Sequence, residues 1–295
     1  MNNYVKCIDI KDVTEMIKLV VSDMDGTLLN SEGNISDVNQ KAIQQVRDSG
    51  VPFVLCTGRI FSAAYPYAVH LGLKAPVIGC NGAIIKSPET GEILYLNEMK
   101  TEIVHKVVDI FRKYDYYFHF YDEDTVYAEK HGPLFDYIES MSKKLGGTGI
   151  QTKLLPDVKE VIGKSVKVLK MGFNLTDEDI SLKIIEEVKQ LTGLTVVQSA
   201  PSLMDIMNDD VSKGHAIKAL ADIYKISTDE ILAMGDNDND IEMLQTAGIG
   251  VAMDNANDGV KAAADDIAVH HEEDGVAWTL EKYVLSQKPD EEVVS

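Results

Sequence analysis

Cysteine is scarce. Cys7, Cys56 and Cys80 are the whole complement in 295 residues, too few for a dense disulfide framework and in keeping with a reducing compartment. Cys56 and Cys80 end apolar runs, as small buried hydrophobes do, and neither has a cationic neighbour in sequence to activate a thiolate. Cations are also in deficit, since 28 Lys and Arg against 48 Asp and Glu leave a formal charge of −20. That field repels phosphate backbones and anionic lipid heads, so neither nucleic acid nor membrane is an expected partner. No run reaches the roughly 18 apolar residues of a membrane span. The first fifteen residues carry Lys6, Asp9, Lys11, Asp12 and Glu15 and lack the unbroken apolar stretch of a signal peptide. Internal repeats and low-complexity tracts are missing too, and a soluble, cytoplasmic protein is expected.

What remains is a globular composition, 45% hydrophobic and 26% charged, long enough for about two domains of ~150 residues. Ile17 to Val21 is a β-branched run ending in Ser22-Asp23, as a buried parallel strand ends at a polar loop. Ser36 and Asp37 open a helical pattern with Val38, Ala42, Ile43 and Val46 on one face, and Gly50 closes it. Strands are expected at Val51 to Cys56, before Thr57-Gly58-Arg59, and at Val77 to Cys80, before Asn81-Gly82. Strand and helix in alternation imply a parallel, doubly wound α/β sheet.

The pattern then changes. Ile93 to Leu96, Tyr117 to Tyr121 and Thr125 to Ala128 read as strands, the last two joined at Asp122-Glu123-Asp124. Helices are expected near 101 to 114, 133 to 145 and 177 to 192, with strands at Val166 to Phe173, Thr195 to Gln198 and Leu203 to Met207. After Lys213-Gly214 the βα alternation resumes, with strands at Ile231 to Met234, Ile249 to Ala252 and near Ile267 to Val269. The expected division is a core of residues 16–85 and 203–285, an inserted α+β cap of 86–202, and tails of 1–15 and 286–295, the latter disordered.

Asp23-Met24-Asp25-Gly26-Thr27 stands directly after the first strand, where open α/β sheets place ligands. Two carboxylates two residues apart can divide labour between nucleophile and proton transfer, although Asp and Gly are also ordinary turn residues. Gly235-Asp236-Asn237-Asp238-Asn239-Asp240 follows a second strand in the same way. Like charges this dense repel unless a cation sits among them, and a site with one or two carboxylates suits Mg²⁺. A calcium loop counted from Asp236 requires Gly and Glu at its sixth and twelfth positions, where Ile241 and Ala247 stand. His270-His271-Glu272-Glu273 lacks further ligands at a regular spacing and reads as a solvated loop. Of the aromatic patch Tyr114, Tyr116, Tyr117, Phe118 and Phe120, about half is expected in the core.

Asp-Met-Asp-Gly-Thr-Leu, Thr-Gly-Arg, Ser-Lys-Gly and Gly-Asp-Asn-Asp-Asn-Asp, in that order, resemble the haloacid dehalogenase superfamily, and more closely its Cof-type phosphatases. Cys80-Asn81-Gly82-Ala83, Leu203-Met204-Asp205-Ile206 before Val211-Ser212-Lys213-Gly214, and Glu273-Asp274-Gly275-Val276-Ala277 share in the likeness, which runs from about 17 to 282. Asn208-Asp209-Asp210 departs from it, where many relatives have a proline, a basic residue and a glycine. The resemblance implies a Mg²⁺-dependent phosphomonoesterase acting on small phosphate esters, sugar phosphates first among them, as a monomer or small homo-oligomer. It assigns Asp23 as nucleophile, Asp25 as general acid and then base, and Asp23, the Asp25 carbonyl and Asp236 as Mg²⁺ ligands. Asp240 steers metal-bound waters, Asn239 lies near the phosphate, and Thr57 and Gly58 donate to phosphoryl oxygens. Lys213 supplies the positive charge that lets a carboxylate approach an anionic phosphate. Asp25 separates a hydrolase from superfamily pumps, which have threonine there. The alternatives are a phosphomutase of the same superfamily and a non-catalytic phosphate-ligand sensor, and the latter would lack one of Asp23, Asp25, Lys213 and Asp236.

Overall fold

The computed structural model describes residues 17–144, 149–200 and 202–286. The tail expectations for 1–15 and 287–295, and Cys7, lie outside the described residues. Two compact units are formed. The first takes the residues up to Cys56, His70–Pro76 and those from Lys213 onward; the second takes Thr57–Val69 and Val77–Ser212.

The first unit is built on five parallel strands in the order Asp266–Ile267, Ile249–Ala252, Ile231–Gly235, Leu19–Ser22 and Phe53–Leu55. Leu19, Val20 and Val21 and the run Ile231 to Met234 are fully buried, so these strands carry continuous apolar runs and no alternation. The chain adds Phe53–Leu55 on one side of Leu19–Ser22 and all its later strands on the other. The winding therefore reverses between Leu19–Ser22 and Ile231–Gly235, and open α/β sheets form their ligand crevice at the carboxyl ends of the strands at such a reversal. Ser22 is in register with Met234, so Asp23 and Gly235-Asp236 leave the sheet as neighbours.

The helix Asp37–Asp48 is capped by Ser36, whose Oγ accepts the Asn39 N–H at 3.0 Å, and Gly50 follows it with φ +89°. Its inner face differs by one residue from the expected one. Asn39, Ala42, Ile43 and Val46 are buried, whereas Val38 is 54% exposed. The i, i+3, i+4, i+7 stripe starts at position 39, and the buried Asn39 is satisfied because its Oδ1 accepts the Ala277 N–H at 2.8 Å, an orphan donor in the first turn of helix Gly275–Leu280.

The second unit contains two sheets. Val77–Gly79 was expected to extend the parallel sheet; instead it pairs antiparallel with Ile84–Lys86, which pairs antiparallel with Ile93–Leu96. The turn Cys80–Gly82, with φ +51° at Cys80 and +57° at Asn81, folds the chain back at once and leaves no room for a crossover helix, so the strand is committed to a meander. The six-stranded sheet runs Leu194–Ala200, Leu203–Asn208, Lys170–Asn174, His119–Tyr121, Thr125–Ala128, Gln151–Leu154. Its central hairpin is held by Asp122, whose Oδ1 accepts the N–H groups of Asp124 and Thr125 at 2.9 and 2.7 Å. The strand expected over 166 to 173 is confined to Lys170–Asn174. Gln151–Leu154 was not anticipated, because an exposed edge strand has no apolar signature to read. Tyr116, Phe118 and Phe120 are core, packed with the helices Thr101–Lys113 and Glu178–Lys189, while Tyr117 borders a second cluster with Ile60, Cys80, Ile84 and Leu169.

Candidate active site

Asp23 follows its strand directly, and its N–H donates to the Met234 carbonyl at 2.9 Å, extending the parallel ladder by one step. Lys213 opens the helix Lys213–Tyr224, yet it is only 1% exposed. Its Nζ donates to Asp23 Oδ1 at 2.5 Å and to Asp240 Oδ1 at 2.6 Å. Gly214 allows this: a Cβ there would lie 2.5 Å from Glu242 Cγ and 2.8 Å from the Glu242 carbonyl oxygen, so only glycine lets the helix settle this deeply. Asp240 turns its other oxygen inward, where Oδ2 accepts the N–H groups of Asp236 and Asn237, each at 3.0 Å. Both oxygens of Asp240 are thus engaged. Asp236 Oδ1 accepts the Thr27 hydroxyl at 2.8 Å.

Asp23, Asp236 and Asp240 each offer a carboxylate oxygen within 4.8 Å of the others, the one such group of metal-ligating side chains among the described residues. One ammonium faces three carboxylates. Burial first, then the charges of Asp240 and Asp236, push the Asp23 carboxyl well above its usual range against the pull of Lys213. Asp236 is pushed up to about 6, chiefly by burial. Burial works against the Lys213 ammonium, but Asp23 and Asp240 outweigh it and hold its pKa above the ordinary lysine value. The residual negative charge in a partly desolvated, oxygen-only cluster fits a hard divalent cation. Gly26 makes the cradle: its φ is +82°, and a Cβ there would come 2.4 Å from Asp236 Oδ2.

A family model described as haloacid dehalogenase-like hydrolase matches residues 20–280. The chain belongs to this family. The 5-amino-6-(5-phospho-D-ribitylamino)uracil phosphatase YcsE of Bacillus subtilis is 30% identical over 269 residues, covering 91% of this chain and 96% of that protein. The phosphatase YwpJ of the same organism is 28% identical over 288 residues, covering 91% of this chain and 100% of that protein. The crystal structure of a haloacid dehalogenase-like hydrolase from Bacteroides thetaiotaomicron has a TM-score of 0.79 at 27% identity, covering 90% of this chain and 99% of that one. This haloacid dehalogenase-like hydrolase is accordingly an enzyme of the phosphatase class. Among its described residues, no helix is long and apolar enough to cross a membrane.

Of the residues singled out by sequence, the structure brings Asp23, Lys213, Asp236 and Asp240 together. Asp25 is exposed on the turn two residues beyond Asp23, and Asn239 is exposed on the 3₁₀ turn Asp238–Asp240. Thr57 and Gly58 belong to the second unit. Cys56 does have a cation near it, Lys213, but burial dominates and pushes its thiol up; Cys80, near Lys170, is pushed up to about 12. Both stay protonated and unreactive.

Two residues escaped the sequence reading. Thr27 closes the first acidic motif, which by itself gives it no role. Asn255 follows a third strand end, after Ile249–Ala252, and that position was its only signal. Its Nδ2 donates to the Gly26 carbonyl at 2.8 Å and to Asp236 Oδ2 at 3.3 Å, while its Oδ1 accepts the His271 N–H at 3.2 Å. Asn255 therefore ties the two acidic loops together. Asn255→Ala is expected to weaken divalent-cation binding at this cluster about tenfold, as loss of an outer-shell partner commonly does, with little change in melting temperature. Isothermal titration with Mg²⁺ checks this, and unaltered affinity counts against it.

Proposed function

We propose that this enzyme hydrolyses phosphate monoesters of small metabolites, sugar phosphates first among them, with Mg²⁺ as cofactor. The observation that carries the reading is the buried Lys213 ammonium bridging Asp23 and Asp240 beside Asp236. Asp23, the Asp25 backbone carbonyl and Asp236 are the residues that would hold Mg²⁺, with Asp240, whose oxygens accept from Lys213 and two backbone N–H groups, steering metal-bound waters. Bound there, Mg²⁺ supplies positive charge against the phosphoryl oxygens.

Asp23 attacks phosphorus in line, forming a P–O bond to its carboxylate as the ester P–O bond breaks and the alcohol departs. Asp25 gives the alcohol its proton, then takes one from the water that opens the aspartyl phosphate, so carboxylate and inorganic phosphate are regenerated. Exposure suits Asp25 to both transfers. Lys213 pulls Asp23 toward its ionised form against burial and offsets its repulsion from the incoming phosphate. Thr57 and Gly58 donate to the phosphoryl oxygens, and Asn239 lies by the phosphate. Residues 86–202 are proposed as the cap domain that selects the ester, and 16–85 with 203–285 as the core domain. The name of the first relative above, a 5-amino-6-(5-phospho-D-ribitylamino)uracil phosphatase, supports a phosphate ester on a polyol or sugar chain as the substrate class. The unpaired, buried Cys56 and Cys80 support a cytoplasmic location.

Purified protein is to be screened against phosphorylated metabolites with Mg²⁺, with EDTA and with Ca²⁺. Phosphate release is expected with Mg²⁺ alone. Ca²⁺ is expected to inhibit, because it accepts about 6–8 ligands and takes carboxylates bidentate, which occupies the attacking oxygen of Asp23. Turnover unaffected by EDTA, or fully supported by Ca²⁺, removes the Mg²⁺ mechanism.

A further inference from the structure

The second unit holds a buried ion pair that the chemistry above does not use. Lys170 Nζ lies 2.8 Å from Asp205 Oδ2, with side chains 6% and 0% exposed. Desolvating two ions offsets much of their attraction, so such a pair is weak grounds for stability alone. The second contact of Lys170 is more informative: its Nζ also donates to the Gly58 carbonyl at 3.2 Å. That carbonyl is one end of the Gly58–Arg59 peptide, and the N–H at the other end donates to Thr57 Oγ1 at 3.1 Å. Because the peptide is planar, a cation that fixes the carbonyl also fixes the N–H. That N–H occupies one lone pair of the Thr57 hydroxyl and so restricts where its hydrogen can point.

We propose that Lys170, aligned by Asp205, is a positioning residue that sets the Thr57-Gly58-Arg59 loop to receive a phosphoryl group. This rests on the reading of Thr57 and Gly58 as phosphate donors. The remaining backbone anchors of the loop come from the segment after Pro76: Thr57 N–H to the Ile78 carbonyl at 2.9 Å, Cys80 N–H to the Arg59 carbonyl at 2.8 Å, and Asn81 N–H to the Thr57 carbonyl at 3.0 Å. The Gly58 carbonyl is met by the ion pair. The sheet is built to present that pair. Register sets Asp205, Gly172 and His119 abreast on adjacent strands, and a Cβ on Gly172 would come 2.5 Å from His119 Nε2 and 3.3 Å from Asp205 Oδ1. His119 adds no charge, since burial and then Lys170 push it down to about 3. Asp205 is the one carboxylate in ion-pair contact with Lys170 among the described residues. A lysine that merely filled the core would not need its charge aimed at the backbone of a ligand loop.

The test is vanadate binding in the presence of Mg²⁺, by calorimetry, to the wild type, Lys170→Met, Thr57→Val and the double variant, alongside hydrolysis of p-nitrophenyl phosphate. Lys170→Met and Thr57→Val are each expected to weaken vanadate about tenfold, the loss of a charge-assisted contact. In the Thr57→Val background Lys170→Met is expected to cost less than about twofold, because two residues acting through one group are not additive. A general packing role would not produce that coupling. Should Lys170→Met fail to fold, Lys170→Met with Asp205→Asn removes both charges and is judged by the same criterion. Unchanged vanadate affinity on loss of Lys170, or losses that multiply, overturns the proposal while leaving the phosphatase reading intact. Failure of the wild type to bind vanadate and to turn over the ester overturns both.

Discussion

Asp23→Asn is expected to reduce phosphate release to below about 1% of wild type, since removal of an attacking group commonly costs several powers of ten. The amide is nearly isosteric with the carboxylate, and its oxygen can still accept the hydrogen bond that Lys213 makes to Oδ1. What it lacks is the charge and the nucleophilic oxygen pair. Asp23 is the carboxylate that burial and its acidic neighbours push well above the usual range, so neutralising it relieves repulsion with Asp236 and Asp240. The variant is therefore expected to melt at or above the wild-type temperature while losing turnover. A phosphate-release assay beside a circular dichroism melt separates the two effects. Residual turnover above about 1% of wild type in a cleanly folded sample would remove Asp23 from the role of nucleophile.

Lys213→Met is expected to cost both activity and stability. The ammonium is the shared partner of Asp23 and Asp240, which are 5% and 0% exposed. Breaking a buried pair by deleting one partner typically destabilises by about 3–5 kcal/mol, because the remaining charge is left in a poor solvent. Turnover is expected to fall at least about 10²-fold, since the ammonium that offsets the approach of a carboxylate to an anionic phosphate is lost. Lys213→Arg should recover little, as a planar guanidinium cannot replace a compact ammonium in a cavity this closed. Adding Asp240→Asn to Lys213→Met should restore much of the stability but none of the activity. If the double variant melted no higher than Lys213→Met, the electrostatic account of the triad would be wrong.

The sequence by itself determined the strand ends at which the acidic groups collect. Ile17 to Val21 and Ile231 to Met234 read as parallel strands because both faces are covered, and the acidic loops after them stand out as candidate sites before any pairing is known. The α/β alternation, its interruption by hairpins and its return after Lys213 were equally legible, being local patterns of apolar spacing and turn residues. Tertiary structure alone decided what those local patterns leave open. Whether position 38 or 39 faces inward depends on the orphan N–H of Ala277, 238 residues away. Val77–Gly79 has the composition of a parallel strand, and only the turn at Cys80–Gly82 and its pairing with Ile84–Lys86 assign it to another sheet. Asn255 and Lys170 carry no motif that sets them apart from other polar residues. Their placement on Asp236 and on the Gly58 carbonyl follows from strand register and the packing of distant segments. The excess of buried negative charge around Lys213 likewise exists only once three carboxylates, spread over more than two hundred residues of chain, are brought within 4.8 Å, because charge in a low-dielectric interior acts through distance and solvent exclusion and not through sequence neighbourhood.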